Sequence, residues 1–321
     1  MYRFLKKTVV GLKVVLIGVL FVVLLWAGEG QGGEIGKEGS TEPFAPIMGF
    51  SSNAYTEVDR NDAKVATKIL GDILVRKQQK SNSNNLGDVL IYETLSELER
   101  DINAKKIDVA VMVSNEFLEL RGRITLDPIV VSSREKTVYE ELLLLVRKDS
   151  GVKELKDLRK RLLLLTRTQY GFIYHRWLET LLMKEGFHDI QNFFSEIKET
   201  RKPSQALMPV FFKQADACVV SRHYFEVNSE LNPQIQKELI PISISQGYAG
   251  GVIAFRKDYN EEHKKSMKEI LTTLHTDSHG KQMLLLFQMN KLVPFKPEYL
   301  NSMEALVKEH KDLKMKIAKA K

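Results

Sequence analysis

The sequence predicts an α/β fold in which helices alternate with the strands of parallel sheets, and two observations carry this prediction. Short apolar runs recur along the chain, separated by stretches with apolar residues at helical spacing, which is the pattern of repeated strand–helix units. One run, residues 107–113, is apolar almost throughout, as expected for a parallel strand buried on both faces. A length of 321 residues, 43% of them hydrophobic, indicates a folded chain of about two domains.

Strands and helices are predicted in alternation through most of the chain. We expect strands at residues 45–50, 89–92, 107–113, 162–165 and 217–220, and helices at residues 61–78, 96–105, 170–184 and 203–213. The C-terminal part of the chain is mostly helical in pattern.

Two longer strand-like stretches stand apart from this alternation. Residues 138–147 and residues 246–256 are each followed by a lysine and an aspartate. A matched pair of this kind is what two crossings between two lobes would give. Each stretch taken alone could equally be an ordinary strand.

The N-terminal segment is typical of an export signal. Residues 1–13 are basic, residues 14–27 form an uncharged apolar run, and glycines follow, which is the order found in secretory signals. A membrane-spanning helix needs about 20 apolar residues, and counting from Thr8 across Lys13 extends the run to that length. Residues 1–27 are therefore either a signal peptide or a retained membrane anchor, and residues 28–44 are a linker in composition.

The net charge of +7 is concentrated at the two ends of the chain. Residues 1–27 carry four basic residues and no acidic one, and residues 308–321 carry six lysines against two acidic residues. The rest of the chain is close to neutral, whereas a nucleic-acid reader needs a basic face on its folded body. We predict that the protein binds no nucleic acid, and we expect a monomer.

Motifs of the common enzyme classes are absent from the sequence. It contains no phosphate-binding loop, no dinucleotide-binding glycine motif, no metalloprotease motif and no nucleophile elbow. The single cysteine, Cys218, lies in an apolar run and excludes an intramolecular disulfide. His275 and His279 are four residues apart, a spacing that can bind a metal, but we interpret them as surface histidines. We therefore predict no catalysis, no cofactor and no metal site.

Five segments occur in an order that carries a family resemblance: residues 48–53, 107–117, 144–158, 203–220 and 277–281. Together they resemble the substrate-binding components of phosphate, phosphite and phosphonate ABC transporters, and residues 144–158 (LLVRKDSGVKELKDL) are the most specific. The resemblance implies a two-lobed type 2 periplasmic-binding fold. In that fold each lobe is a mainly parallel sheet flanked by helices, and the ligand lies in the cleft between the lobes.

The resemblance also implies domain boundaries. The first lobe would contain residues 45–137 and would be completed by residues 257–321, which include the C-terminal helices. The second lobe would contain residues 138–256, with hinge strands at residues 138–147 and 246–256.

Carried over to this sequence, the family's anion site falls on loops at the carboxyl ends of strands. Hydroxyl groups and backbone N–H groups would hold the anion there, because a helix N-terminus offers free donors and a positive dipole end. Ser221 stands where many family members have an acid, and the turn at residues 168–171 has fewer hydroxyl groups than theirs. Arg167 can compensate, because a guanidinium binds oxyanions through two parallel hydrogen bonds. The ligand-binding residues that the resemblance implies are Ser51, Ser52, Asn53, Tyr55, Ser114, Asn115, Thr166, Arg167, Thr168, Tyr170, Ser204 and Ser221.

The function implied by the resemblance is transport. The protein would be an extracytoplasmic, periplasmic solute-binding protein that captures a small phosphate- or phosphonate-like oxyanion for an ABC permease in the inner membrane. A second hypothesis keeps the same fold. In it, the protein is a membrane-anchored sensory receptor that signals its ligand state to a membrane partner.

Overall fold

The computed structural model describes most of the chain between residues 46 and 319. The described residues are 46–54, 89–134, 136–166, 171–200, 202–276, 278–287 and 289–319. All of them belong to one compact unit of residues 43–321. The predicted signal or anchor, the predicted linker and the helix predicted at residues 61–78 lie outside the described residues.

Strands and helices alternate through the described part of the chain. The strands are β1 (Met48–Ser51), β2 (Val89–Tyr92), β3 (Val109–Val113), β4 (Leu126–Ser133), β5 (Tyr139–Glu140), β6 (Leu142–Arg147), β7 (Leu162–Thr166), β8 (Glu196–Thr200), β9 (Ala217–Ser221), β10 (Leu239–Ile244), β11 (Tyr248–Ala249), β12 (Gly251–Arg256) and β13 (Lys291–Pro294). The α-helices are α1 (Leu95–Asn103), α2 (Ser114–Arg121), α3 (Gly171–Lys184), α4 (Ile190–Phe193), α5 (Pro203–Phe211), α6 (Arg222–Leu231), α7 (Pro233–Glu238), α8 (Glu261–Thr273), α9 (Ser278–Leu286) and α10 (Asn301–Lys319).

Two sheets of mixed strand direction and one short ribbon contain these strands. The first sheet has the order β13-β4-β12-β3-β1-β2, and the second has the order β10-β6-β9-β7-β8. In the first sheet β1 pairs in parallel with β2 and β3, and in the second β7 pairs in parallel with β8 and β9. The remaining pairs in both sheets are antiparallel.

This pairing corrects the expectation that each sheet would be mainly parallel. The strands β6 and β12 are those by which the chain enters one sheet after leaving the other. Each begins at the edge of the sheet where the strands beside it end. Each therefore runs antiparallel to the strands on both of its sides. Inserting one such strand makes two antiparallel pairs in each sheet.

The two long stretches singled out in the sequence are each interrupted close to the point where the chain changes sheet. The first divides at Glu141 into β5 and β6, and the second divides at Gly250 into β11 and β12. The strands β5 and β11 pair with each other in antiparallel fashion. We call this pair the crossing ribbon, because it contains both passages of the chain between the first and the second sheet.

Helices cover both faces of each sheet, as an α/β fold requires. On the first sheet, α8 and α9 contribute to the core on one face, and α1 and α2 contribute to the core on the other. On the second sheet, α3 packs on one face, while α5, α6 and α7 pack on the other. Because helices cover the faces, a ligand can reach each sheet only at the ends of its strands, where the connecting loops lie.

The C-terminal helix α10 packs beside the second sheet, although the first lobe was expected to contain residues 257–321. Met303 and Leu306 of α10 belong to the same buried cluster as Trp177 of α3. Around this contact, His310 Nε2 lies 2.6 Å from a carboxylate oxygen of Glu179. The predicted domain boundaries as a whole stay a prediction.

Candidate functional site

The loops that follow β1 and β3 meet at one edge of the first sheet. The two strands are parallel, with Phe50 opposite Val111, so both end at the same edge. A single 3₁₀ turn, Ser52–Ala54, follows β1, and β3 leads directly into α2. Five of the predicted ligand-binding residues therefore lie at this edge: Ser51, Ser52, Asn53, Ser114 and Asn115.

One buried carboxylate, that of Glu116, holds the turn after β1 against the start of α2. Its Oε1 accepts hydrogen bonds from Ser51 Oγ at 2.7 Å and from Asn53 Nδ2 at 2.8 Å. Its Oε2 accepts a hydrogen bond from the backbone N–H of Val113 at 3.2 Å. Glu116 is only 5% exposed, and the three donors offset the cost of burying its charge.

Ser114 connects the start of α2 to the crossing ribbon. Its Oγ donates to the backbone oxygen of Ala249 at 2.6 Å, and its backbone N–H donates to the oxygen of Gly250 at 3.0 Å. Ser114 has 0% exposure. Its hydroxyl is thus directed into the protein, toward β11 of the crossing ribbon.

Asn115, the next residue, has a buried oxygen without a hydrogen bond. Among the described residues, its Oδ1 is one of the buried side-chain atoms that have no hydrogen-bond partner. Buried polar groups are usually paired, and an exception in a native structure calls for an explanation such as a bound water or ligand. Asn115 therefore has an acceptor oxygen at this edge to which no described protein group donates.

At the second sheet, β7, β8 and β9 end together. Thr166 at the end of β7 lies opposite Thr200 of β8, and Leu165 lies opposite Val219 of β9. Thr166 is 1% exposed, and its Oγ1 lies 3.4 Å from the backbone oxygen of Val219, to which it donates. Ser204 lies in the first turn of α5 and is partly buried. The second sheet thus brings Thr166, Ser204 and Ser221 to the carboxyl ends of its parallel strands or to the helix that follows one of them.

The N-terminus of α6 is already occupied by the protein's own acceptors. Ser221 Oγ accepts a hydrogen bond from the N–H of Tyr224 at 3.2 Å, which makes it the N-cap of the helix. The N–H of His223 donates to Glu140 Oε1 at 3.1 Å, and the N–H of Arg222 donates to the backbone oxygen of Glu141 at 2.8 Å. The first three N–H groups of α6 are therefore bonded within the chain.

The fold that carries these strand-end loops has counterparts in known proteins. A family model described as "ABC transporter, phosphonate, periplasmic substrate-binding protein" matches residues 87–300. The chain belongs to this family. Its members are substrate-binding components of transporters rather than enzymes, and they act outside the cytoplasm on a small ligand together with a permease. The resemblance seen in the sequence is thereby confirmed, and the transport hypothesis is favoured over the sensory one.

Solved structures with the same fold include several binding proteins. A Xanthomonas citri protein bound to ATP has a TM-score of 0.63 at 13% identity, covering 84% of this chain and 98% of that one. PhnD1 from Prochlorococcus marinus in complex with methylphosphonate has a TM-score of 0.58 at 14% identity, with 82% and 97% covered. The binding protein component of an ABC phosphonate transporter from Pseudomonas aeruginosa has a TM-score of 0.57 at 14% identity, with 86% and 99% covered. At these identities the likeness shows the type 2 periplasmic-binding fold. No curated protein sequence matches the chain.

Four predicted ligand-binding residues of this periplasmic binding protein lie outside the described residues. They are Tyr55, Arg167, Thr168 and Tyr170, so their role stays a prediction. The other eight fall into two groups, five at the first sheet and three at the second. Within these groups, Ser51, Ser114 and Ser221 have hydroxyls that are bonded to other parts of the protein.

A group of charged side chains surrounds the crossing ribbon. Arg134, which follows β4, lies 2.6 Å from Glu140, whose other oxygen accepts from the N-terminus of α6. Burial raises the pKa of the Glu140 carboxyl above its ordinary value, and the charge of Arg134 opposes this shift. The side chain of Arg222 pairs with Glu141. These contacts link the first sheet, the ribbon and α6 of the second sheet.

Two cavities lie near the crossing ribbon. One of about 910 Å³ is lined by residues of the ribbon, α6 and α10. A second, of about 80 Å³, lies between the first sheet and α9 and reaches Ala54 of the turn after β1. Among the described residues, none of the predicted ligand-binding residues lines either cavity.

The described part of the chain shows no sign of metal binding, of a membrane span or of a reactive thiol. No cluster of three or more histidine, cysteine or acidic side chains there is arranged to hold a metal ion. Over the same residues, no helix combines the length and the apolar character that crossing a bilayer requires. Cys218 is fully buried in β9, and burial raises the pKa of its thiol.

Sequence reasoning missed Glu116 and Glu140. A glutamate at the third position of a helix commonly bonds back to the helix start, so the contact of Glu116 with Val113 was within reach of pattern analysis. Its contacts with Ser51 and Asn53 were not, because they join residues 65 and 63 positions apart. Glu140 likewise had no local signal, since its partner at His223 is 83 positions away.

Proposed function

We propose that this protein captures a small oxyanion of the phosphate and phosphonate class outside the cytoplasm and delivers it to an ABC permease. Membership of the periplasmic substrate-binding family supports the delivery step. The complex of PhnD1 with methylphosphonate, a protein of the same fold, supports the ligand class. We further propose that residues 1–27 direct export, that the protein acts as a monomer and that it binds no nucleic acid.

The observation that best supports this proposal is the arrangement of polar residues at two sheet edges. Hydroxyl and amide side chains follow β1 and β3 of the first sheet, and β7 and β9 of the second. Ligands of α/β sheets bind beyond the carboxyl ends of the strands, and helices that start there add N–H groups and a positive dipole end. This arrangement suits a small anion better than a large apolar ligand.

Within this proposal the predicted residues divide into two roles. Those we propose to contact the ligand include Ser52, Asn53, Asn115 and Ser204 of the described residues, together with Tyr55, Arg167, Thr168 and Tyr170. Ser51, Ser114, Thr166 and Ser221 would stabilise the protein around the site without contacting the ligand, because their hydroxyls donate to, or accept from, other groups of the protein.

A binding screen tests the proposed ligand class. The purified chain is heated with methylphosphonate, phosphite, inorganic phosphate or sulfate, and with sodium chloride at equal ionic strength as the control. A ligand present at about 100 times its dissociation constant should add about 2.7 kcal/mol to the free energy of unfolding, which gives a clear rise in melting temperature. No rise with any of the four anions would refute an oxyanion ligand of this class.

Arg167→Ala tests the charge that we place in the site. A hydrogen bond to a charged group contributes about 1.5–3 kcal/mol, so the dissociation constant for methylphosphonate should rise by about tenfold or more. Arg159→Ala is the matched control, because Arg159 is an exposed arginine that precedes β7. Equal affinities of the two variants, measured by calorimetry, would remove Arg167 from the site.

We also propose two lobes that close on the ligand. Residues 45–137 and 257–321 would form the first lobe, with α10 extending to pack on α3, and residues 138–256 would form the second. The separation of the strands into two sheets and the pairing of β5 with β11 support a hinge at the crossing ribbon. Closure should lower the radius of gyration measured by small-angle X-ray scattering when a saturating ligand from the screen is added. An unchanged radius at saturation would contradict closure.

A further inference from the structure

Two residues predicted to touch the ligand direct their side chains to a third residue. Ser51 Oγ and Asn53 Nδ2 both donate to the same oxygen of Glu116, at 2.7 and 2.8 Å. Ser51 Oγ also accepts a hydrogen bond from the backbone N–H of Asn53 at 3.2 Å. The hydroxyl of Ser51 therefore acts as donor and acceptor at once, and both of its partners belong to the protein.

Glu116 is well placed to act as a support. It is 5% exposed, so its carboxylate faces the protein interior rather than a ligand. It is the third residue of α2, where the positive end of the helix dipole favours a negative charge. Its second oxygen accepts from the backbone N–H of Val113 at 3.2 Å. The same carboxylate thus fixes the end of β3 and the turn after β1, which border one edge of the first sheet.

We propose that Glu116 is a positioning residue of the ligand site and that Ser51 affects ligand affinity chiefly through it. This inference rests on the proposed function, because it assumes that the turn Ser52–Ala54 borders the ligand. Without the carboxylate, the turn loses the acceptor that orients both Ser51 and Asn53. The groups of this turn that we propose to contact the anion would then no longer be held in one arrangement.

A double-mutant cycle on the full chain tests this role, with methylphosphonate as the probe and calorimetry as the measurement. Glu116→Ala should raise the dissociation constant by about tenfold, comparable to the loss of one good hydrogen bond to the ligand. Ser51→Ala should weaken binding in the otherwise unchanged protein and have a clearly smaller effect in the Glu116→Ala background, where only its contact with the backbone N–H of Asn53 is left to lose. Residues that act through a shared partner are non-additive in this way.

Two further variants separate positioning from a general loss of structure. Glu116→Gln keeps an oxygen that can accept from Ser51 and Asn53 but loses the acceptor of the Val113 N–H, so it should recover part of the affinity lost in Glu116→Ala. Glu119→Ala is the matched control on the same helix, because Glu119 is exposed and forms a surface ion pair with Arg123 at 3.3 Å. This control should bind methylphosphonate as tightly as the parent protein.

The inference is overturned if Glu116→Ala binds methylphosphonate normally, or if Ser51→Ala weakens binding by the same factor in both backgrounds. Amide hydrogen exchange of the ligand-free chain gives a second measurement that does not depend on the probe. In Glu116→Ala, the backbone N–H groups of Asn53 and Val113 should exchange faster than in the parent, and unchanged exchange would also overturn the inference. If the parent chain itself fails to bind methylphosphonate, that ligand is refuted, while the exchange experiment still decides whether Glu116 holds the turn.

Discussion

Replacing Ser114 by alanine should destabilise the protein without weakening ligand binding. Ser114 is completely buried, and its Oγ donates to the backbone oxygen of Ala249 at 2.6 Å. Alanine removes the donor in a place that water does not reach, which should cost about 1–3 kcal/mol. The higher helix propensity of alanine returns at most about 0.5 kcal/mol of this. The net loss of about 0.5–2.5 kcal/mol is a measurable part of a typical stability of about 5–15 kcal/mol.

Urea unfolding followed by circular dichroism measures the loss of stability. The dissociation constant for methylphosphonate is then measured by calorimetry at a temperature where the variant is fully folded. Ser52→Ala is the matched comparison, because Ser52 lies at the same sheet edge and is only partly buried. That variant should weaken binding and leave the unfolding curve nearly unchanged. The opposite result for Ser114→Ala, weaker binding at unchanged stability, would mean that its hydroxyl contacts the ligand and that the argument from burial is wrong.

Three further predictions concern residues near the crossing ribbon. Ser221→Ala removes the acceptor for the N–H of Tyr224 and should lower stability by about 1 kcal/mol, the cost of a lost N-cap. Its affinity for methylphosphonate, measured by calorimetry, should be unchanged. Weaker binding would place Ser221 in the site. Because burial raises the pKa of Glu140, stability should fall as pH rises from the ordinary glutamate pKa through the raised one. In urea titrations at a series of pH values, the stability of Glu140→Gln should not show this fall. Identical pH profiles of stability for the variant and the parent would contradict the prediction. Burial also raises the pKa of the Cys218 thiol, so iodoacetamide should label it only in urea, and labelling of the folded protein would show that the thiol is accessible.

The strands that the sequence predicted lie mainly inside the sheets, and three of those it missed lie at the edges. β3, β7 and β9 each have neighbours on both sides and consist almost entirely of apolar residues. β8, β10 and β13 are edge strands, and they contain charged residues or a proline such as Pro241. An edge strand is partly solvated and tolerates a residue without an N–H donor. Its sequence therefore lacks the continuous apolar pattern by which a central strand is recognised.

The site was predictable in its residue types and not in its contacts. Polar residues directly after apolar runs indicated the strand ends, and the structure puts Ser51 and Ser114 at neighbouring ends of one sheet. The partner of each hydroxyl depends on the tertiary fold. Ser114 bonds to a residue 135 positions away, and Ser51 to one 65 positions away. A serine that looks free in sequence is therefore an unreliable guide to a ligand contact when the fold supplies a buried acceptor.

Two helix starts of the second sheet have most of their N–H groups bonded within the protein, which limits where this sheet can hold an anion. All three leading N–H groups of α6 bond to the protein itself, two of them to the residues at the first passage between the sheets. α5 begins at Pro203, which has no N–H, and the N–H of Gln205 donates to the backbone oxygen of Lys202 at 2.9 Å. These two helix starts thus leave few donors for a ligand. The remaining helix that follows a parallel strand at this edge is α3, after β7. By elimination, we expect the chief anion contacts of the second sheet in residues 167–170, where the sequence supplies an arginine and a threonine.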